Sequence, residues 1–309
     1  MYEDINVEKT SFTLSQNGNI KGYKWFKSGS EYKGVVLISH GMAEHIERYD
    51  EFAKLLADNN YIVYGHNQRG HKDTILSKDD YGYMGDGDNF YIMVNDISEI
   101  CDIIRKDYPN LPITLFGHSM GSFVSQRFAQ LHGNKINNLI VCGSSQNPNA
   151  ILNIGLFIAK TVCKFKGRRY RSKLLNSLSF GAYNSKFKPN RTDYDWLNRD
   201  EKEVDKYVND PYCGGIFTAA YFKDFFKGLK DINKNFDLVP KNLPILIISG
   251  ADDPVGECSK NVTKLYETYK KEEINDLTFK LYDGARHEIL LEQCKDEVKK
   301  DILNWLASK

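Results

Sequence analysis

An α/β fold, with a mostly parallel central sheet flanked by helices and an inserted, mainly helical cap, follows from three features of the sequence. Short, nearly continuous apolar runs recur along the chain, as strands covered on both faces require. Between them lie segments with apolar residues three or four apart, the spacing of a helix that buries one side. Strands alternating with helices in this way argue for a parallel sheet with helices on both faces. The rhythm then stops from residue 145 to 239, where Tyr, Phe, Asn and basic residues interrupt one another. A structureless loop of that length does not belong in a compact domain, so an inserted helical cap is expected there.

The elements follow in order. Residues 10–14 and 21–26 alternate around Gly18 and predict an antiparallel hairpin. Gly34–Ser39 (GVVLIS) predicts a doubly buried strand, 49–57 a helix and 61–64 another strand. Phe90, Val94, Ile97, Cys101 and Ile104 share one face of a helix over 90–105, which ends before Pro109 and Asn110. Further strands are expected at 113–116, 136–142, 244–249 and Leu277–Tyr282, with helices at 119–131 and 262–270. Leu291, Cys294, Val298, Ile302 and Trp305 would share a face of the terminal helix. The expected division is a core of 1–145 and 240–309 with a cap of 146–239.

Composition narrows the function. A chain of 309 residues, 41% hydrophobic and 27% charged, suits a globular protein and is long enough for one large α/β domain with an inserted lid, or for two ordinary domains. A net charge of +1 gives no overall pull toward nucleic acid. The opening MYEDINVEKTSF is acidic where a secretory leader needs basic and then apolar residues, so a cytoplasmic protein is expected. Apolar stretches such as 151–159, broken by Asn153 and Gly155, are too short to cross a bilayer. The six cysteines are scattered at 101, 142, 163, 213, 258 and 294, with no CxxC pair, which argues for reduced thiols and against zinc.

The sharpest local signal is Gly117-His118-Ser119-Met120-Gly121, directly after the strand ITLF and before a helical pattern. A nucleophile on a tight strand-to-helix turn has a strained backbone, and close strand–helix approach leaves room only for glycine two residues to either side. The helix that follows aims free N–H groups at developing negative charge. Serine needs a base, and the base needs an acid to hold it. In this topology the chain order is Ser, acid, His. Ala251-Asp252-Asp253-Pro254 and Ala285-Arg286-His287-Glu288 both follow strands, at the sheet edge where ligands bind. Ser119 is thus the candidate nucleophile and His287 its base. Asp252 and Asp253 both remain candidate acids, with the extended backbone that proline imposes on its predecessor favouring Asp253. An oxyanion hole takes one N–H from the residue after the nucleophile, Met120, and one from the loop after an earlier strand, where Met42 in His40-Gly41-Met42-Ala43 is the candidate.

Taken together, HGMAEHIERY, YGHNQRGH, GHSMGS, SGADDPVG and YDGARHEIL resemble the monoacylglycerol lipase and lysophospholipase group of the α/β-hydrolase superfamily, over essentially the whole chain. The resemblance implies the α/β-hydrolase fold, Ser119 as nucleophile, Asp253 as triad acid, His287 as base, and backbone donors at Met42 and Met120. It implies no cofactor and no metal. One motif departs: related proteins commonly carry an aspartate and a further glycine in the loop where Asn67 and Lys72 stand. Activity is expected to survive, because that loop holds no triad member. His40, His45, His66, His71 and His118 are expected to structure loops or to sit buried and hydrogen-bonded.

The expected reaction is hydrolysis of a carboxylic ester through an acyl-serine, on a small lipid ester such as a monoacylglycerol or lysophospholipid. A peptidase or amidase, an acyltransferase and a non-catalytic lipid-binding protein are the alternatives. In the cap, ILNIGLFIAK runs into a basic stretch, and residues 160–191 hold ten Lys/Arg and no Asp or Glu. The plain reading is a solvated helix surface. The sharper one is peripheral membrane contact, with apolar residues at the bilayer edge and Arg168, Arg169 and Arg171 on lipid phosphates.

Overall fold

A computed structural model describes residues 2, 4–15 and 18–309. Eight strands form one sheet: β1 (Ile5–Leu14), β2 (Gly18–Lys27), β3 (Gly34–Ser39), β4 (Tyr61–His66), β5 (Ile113–His118), β6 (Asn138–Cys142), β7 (Ile245–Gly250) and β8 (Leu277–Tyr282). Their spatial order is β1-β2-β4-β3-β5-β6-β7-β8. The hairpin β1–β2 is antiparallel and lies antiparallel on β4; every pair from β4 to β8 is parallel. Gly18 opens β2 opposite Leu14; the turn expected around it falls partly on residues 16 and 17, outside the described residues.

The apolar runs are strands because alternate side chains serve opposite faces and both faces are covered. Val36, Ile38, Val63, Phe116, Ile140 and Ile248 pack under helices α1 (Asp50–Asp58) and, at the end of the chain, α9 (Lys295–Ala307). Their neighbours Val35, Leu37, Ile62, Leu115, Val141 and Ile247 belong to the opposite layer. That layer is built on α2 (Asn89–Asp107), α3 (Met120–His132) and α8 (Lys260–Lys271). Between β6 and β7 the chain inserts α4 (Asn149–Lys166), α5 (Lys173–Phe180), α6 (Glu201–Asn209) and α7 (Ala219–Lys234), so the break in rhythm is a helical insertion. Ser172 and Thr218 accept from Leu175 N–H and Tyr221 N–H and so start α5 and α7.

Two boundaries differ from expectation, for local reasons. β6 starts at Asn138 rather than 136 because the Asn137 side chain takes the Ile113 N–H at 2.8 Å, in place of a ladder bond. The terminal helix starts at Lys295, leaving Leu291 and Cys294 outside it. There the chain winds around buried Glu292, which accepts from the N–H groups of Arg199 (2.9 Å) and Arg286 (3.1 Å).

His40, His66 and His71 are buried beside the β3 and β4 ends. His40 Nε2 accepts from Gln68 N–H at 3.0 Å and its Nδ1 donates to Gly41 O at 2.7 Å. His71 accepts from Ala43 N–H and donates to Arg69 O. Burial lowers the pKa of His40 and His66 to about 4 and that of His71 to about 3, from an ordinary 6.5. The unfolded chain therefore takes up these protons first, and stability drains away as pH falls from 6.5 toward 4. In a His66→Gln variant, unfolding free energy measured by urea titration should fall with acidification less steeply, by about 1 kcal/mol per pH unit between pH 6 and 5. An unchanged slope would show that His66 is protonated in the folded protein.

Candidate active site

β5 ends at His118 and α3 begins at Met120, so the whole change from strand to helix is made at Ser119. Its φ of 52° and ψ of −120° are rare for a residue with a side chain. The bend is held by Ser119 N–H donating to Cys142 O at 3.0 Å, and by Ser122 and Phe123 N–H groups donating to Ser119 O at 2.9 and 3.3 Å. Glycine is required on both sides. A Cβ on Gly121 would run into the Ser39 carbonyl, and one on Gly117 would lie 2.6 Å from Gly121 O.

His287 stands in the loop after β8 and Asp253 in the loop after β7. His287 Nδ1 lies 2.9 Å from Asp253 Oδ2, with both residues buried. Asp253 is fixed further by Val255 N–H on Oδ1 at 2.9 Å and by the Ser249 hydroxyl on Oδ2 at 3.2 Å. Of the two candidate aspartates, then, Asp253 meets the imidazole, and Asp252 faces solvent. Trp196, from the insertion, lies 5.1 Å from the His287 ring, centroid to centroid.

Ser119, His287 and Met42 all line one cavity of about 520 Å³, roofed by Asn176, Phe180, Tyr194 and Trp196 of the insertion. The β3 and β5 ends adjoin, which is where the strand order reverses and where open α/β sheets leave a crevice. Beside Met42, the Gly41 N–H is spent on Glu44 Oε1 (2.5 Å) and the Ala43 N–H on His71 Nε2 (3.3 Å). The Met120 N–H opens α3, where a helix leaves its donors unpaired.

The departing loop is accommodated. Asn67 Oδ1 accepts from Ile46 N–H at 2.9 Å, and its amide donates to Asp73 at 2.6 Å. Lys72 takes a left-handed φ of 36° and pairs with Glu47 at 2.8 Å. The arginines expected on lipid phosphates each bond to the loop of residues 79–87, with Arg169 still half exposed. Arg168 donates to the carbonyls of Asp86 and Gly87 (3.0 and 2.9 Å) and Arg171 to those of Asp79 and Tyr81 (2.8 and 2.7 Å). Arg169 pairs with Asp80 at 2.5 Å and lies over the Tyr83 ring. A loop with outward carbonyls is a better partner for a guanidinium than water alone.

One group of potential metal ligands stands out among the described residues: His45, Asp210 and Cys213. However, His45 already spends both ring nitrogens, on Glu47 (2.8 Å) and Asp210 (2.9 Å), and burial pushes the Cys213 thiol up. The trio is a clasp between the β3 loop and the insertion. Sequence reasoning expected His118 to be buried and hydrogen-bonded but missed the cluster it belongs to, with Glu44, Arg48 and Glu288 at the cavity wall. The one signal for it was the Glu44–Arg48 spacing of four.

A family model described as serine aminopeptidase, S33, matches residues 30–294. The chain is 28% identical over 292 residues to a monoglyceride lipase homolog of Monkeypox virus, covering 93% of this chain and 94% of that protein. It is 26% identical over 313 residues to the monoglyceride lipase of Homo sapiens, covering 99% and 93%. Among solved structures, a thermostable carboxyl esterase from Bacillus coagulans in complex with glycerol superposes with a TM-score of 0.90 at 25% identity, covering 98% of each chain. With most of its length matched and a buried His–Asp pair in place, the chain belongs to the serine aminopeptidase S33 family and is a serine hydrolase of the α/β-hydrolase superfamily.

Proposed function

We propose that the chain hydrolyses carboxylic esters of single-chain lipids, monoacylglycerols or lysophospholipids, with Ser119 as nucleophile, His287 as base and Asp253 as the acid that orients it. The observation that carries this reading is the buried His287–Asp253 pair, which opens onto the same cavity as a serine on a strained elbow. Asp253 accepts a hydrogen bond from the Nδ1–H of His287 and stays ionised, so Nε2 is free to receive the Ser119 proton as Oγ bonds to the ester carbon, and the carboxylate stabilises the imidazolium that forms. The carbonyl electrons move onto an oxyanion facing the Met42 and Met120 N–H groups, and losing one such donor costs about 3 kcal/mol of transition-state stabilisation. As the tetrahedral species collapses, the C–O bond breaks and His287 hands its proton to the leaving alcohol. Water then attacks the acyl-serine by the same route and releases the acid.

The preference for lipid esters rests on the insertion, residues 146–239, acting as a cap. On α4, Ile154 (63% exposed), Phe157 (72%) and Phe165 (74%) face outward, and Leu174 and Leu178 of α5 join them. Such an unpaired apolar face beside Lys160, Lys164, Lys166 and Lys173 suits the rim of a micelle or bilayer. These lysines join Arg168, Arg169 and Arg171 as partners for lipid phosphate. Among the described residues no helix is long and apolar enough to cross a membrane.

Two experiments test this reading. Ser119→Ala and His287→Ala should each lower kcat for a monoacylglycerol by about 10³-fold or more, and Ser119→Ala should abolish labelling by a fluorophosphonate. Retained labelling would exclude Ser119. Run on monoacylglycerols, lysophospholipids, p-nitrophenyl esters and aminoacyl amides, with glycerol present to reveal transfer, the same assay should favour the first two. Faster amide cleavage would make it a peptidase. Separately, Phe157→Ser with Phe165→Ser should weaken sedimentation with vesicles about tenfold or more while hydrolysis of monomeric p-nitrophenyl butyrate is kept, and equal sedimentation would remove the membrane role.

A further inference from the structure

The loops that carry Met42, Ser119 and His287 arise far apart in sequence, and a single buried carboxylate links the three. Glu44 Oε1 accepts from the Gly41 N–H (2.5 Å) and from the Tyr49 hydroxyl (2.8 Å), and lies 3.2 Å from His118 Nδ1. Glu44 Oε2 accepts from Arg48 at 2.8 Å, and Arg48 in turn grips Glu288 with two bonds of 2.5 and 2.8 Å. On its far side, His118 Nε2 lies 3.2 Å from the backbone carbonyl of His287. Gly41 precedes Met42, His118 precedes Ser119, and Glu288 follows His287. The loops of Met42, Ser119 and His287 are therefore each one residue away from this cluster, or contain it, while Asp253 is held separately by Val255 N–H and Ser249.

The protonation states follow from the bonding. Tyr49 spends its proton on Glu44, so its oxygen is left to accept from His118 Nδ1 at 2.8 Å. Both ring nitrogens of His118 then face acceptors, which only the imidazolium can satisfy. Burial opposes that charge, but the hydrogen bond and charge of Glu44 outweigh it and raise the His118 pKa. Burial likewise opposes the Glu44 carboxylate, and His118 and Arg48 hold its pKa well below the ordinary value. Two anions and two cations balance in a buried site, where removing one leaves its partners uncompensated. The fit is tight: a Cβ on Gly41 would sit 2.5 Å from Glu44 Oε1 and 3.2 Å from the Ser119 Cβ.

We infer that Glu44 is a positioning residue for the acyl-transfer reaction, holding the loop that presents the Met42 N–H at a fixed distance from Ser119 and, through His118 and Arg48, fixing the backbone that carries His287. Glu44 stands at the cavity wall, but its oxygens are spent on Gly41, Tyr49, His118 and Arg48, so it acts through these groups. The inference rests on the ester-hydrolase reading given above. An interaction of this kind matters most where the oxyanion forms, so its loss should appear in kcat and in transition-state affinity rather than in ground-state binding.

The test is Glu44→Gln, which keeps an acceptor for Gly41 and Tyr49 but removes the charge that Arg48 and His118 require. Rates are expressed per active site, titrated to completion with a fluorophosphonate, on p-nitrophenyl butyrate. We expect kcat to fall about 10²-fold with KM within threefold. Affinity for a trifluoromethyl ketone, which adds to the serine as a tetrahedral oxyanion, should fall by the same factor, with affinity for butyrate unchanged. If too little Glu44→Gln protein folds, Tyr49→Phe removes one bond to the same carboxylate and should lower kcat about fivefold with the same split. A kcat per site within twofold of wild type, or equal losses for ketone and butyrate, overturns the inference. Ser119→Ala run in parallel separates the two ideas. If it stays active, the ester-hydrolase reading itself fails; if it is dead while Glu44→Gln runs at full rate, only the positioning role does.

Discussion

The change from strand to helix at Ser119 takes place in one residue, and the close approach of α3 to the carbonyl of Ser39 makes that possible. A backbone held in so sparse a region costs about 1–3 kcal/mol, which surrounding structure must offset. It is offset by the fully buried centre of the sheet, where β3, β5 and β6 carry no exposed residue. Because α3 stands so near β3, its unpaired N–H end opens at the point where strand order reverses. The loops after β3, β7 and β8 converge on that point, and the His287–Asp253 pair is the result.

Much of this was legible in the sequence, for a definite reason. A strand buried on both faces must be apolar throughout, so GVVLIS and ILIISG announce themselves. The strained turn at Ser119 announces itself too, because its geometry tolerates only glycine at Gly117 and Gly121. Loops that follow parallel strands lie at one sheet edge, so strand order alone brings Ser119 and His287 to the same edge. The choice between Asp252 and Asp253 was weaker, since sequence names the loop but not the side of it that faces inward.

What stayed hidden was pairing at long range. The charge of Arg168, Arg169 and Arg171 was plain, but their partners are carbonyls and a carboxylate some 80 to 90 positions earlier. A count of charges cannot reveal that a loop has already claimed them. The same holds for Arg48 and Glu288, separated by 240 positions. Leu291 kept the helical spacing yet fell outside α9, because Glu292 collects backbone donors from Arg199 and Arg286 and holds the chain in turns.

The arginine contacts have a bearing on how substrate reaches the cavity. They fasten the insertion to the 79–87 loop, while Gly214 N–H and the Tyr207 hydroxyl fasten it to Ala43 O (3.0 and 2.9 Å). A third seam joins Leu197 O to Glu288 N–H at 2.9 Å and Arg199 to Glu292 at 2.9 Å. A roof sewn down along three seams does not swing as a rigid body about a hinge. The stretch holding α5, which carries Asn176 and Phe180 over the cavity, is the part of the roof that none of these three seams includes.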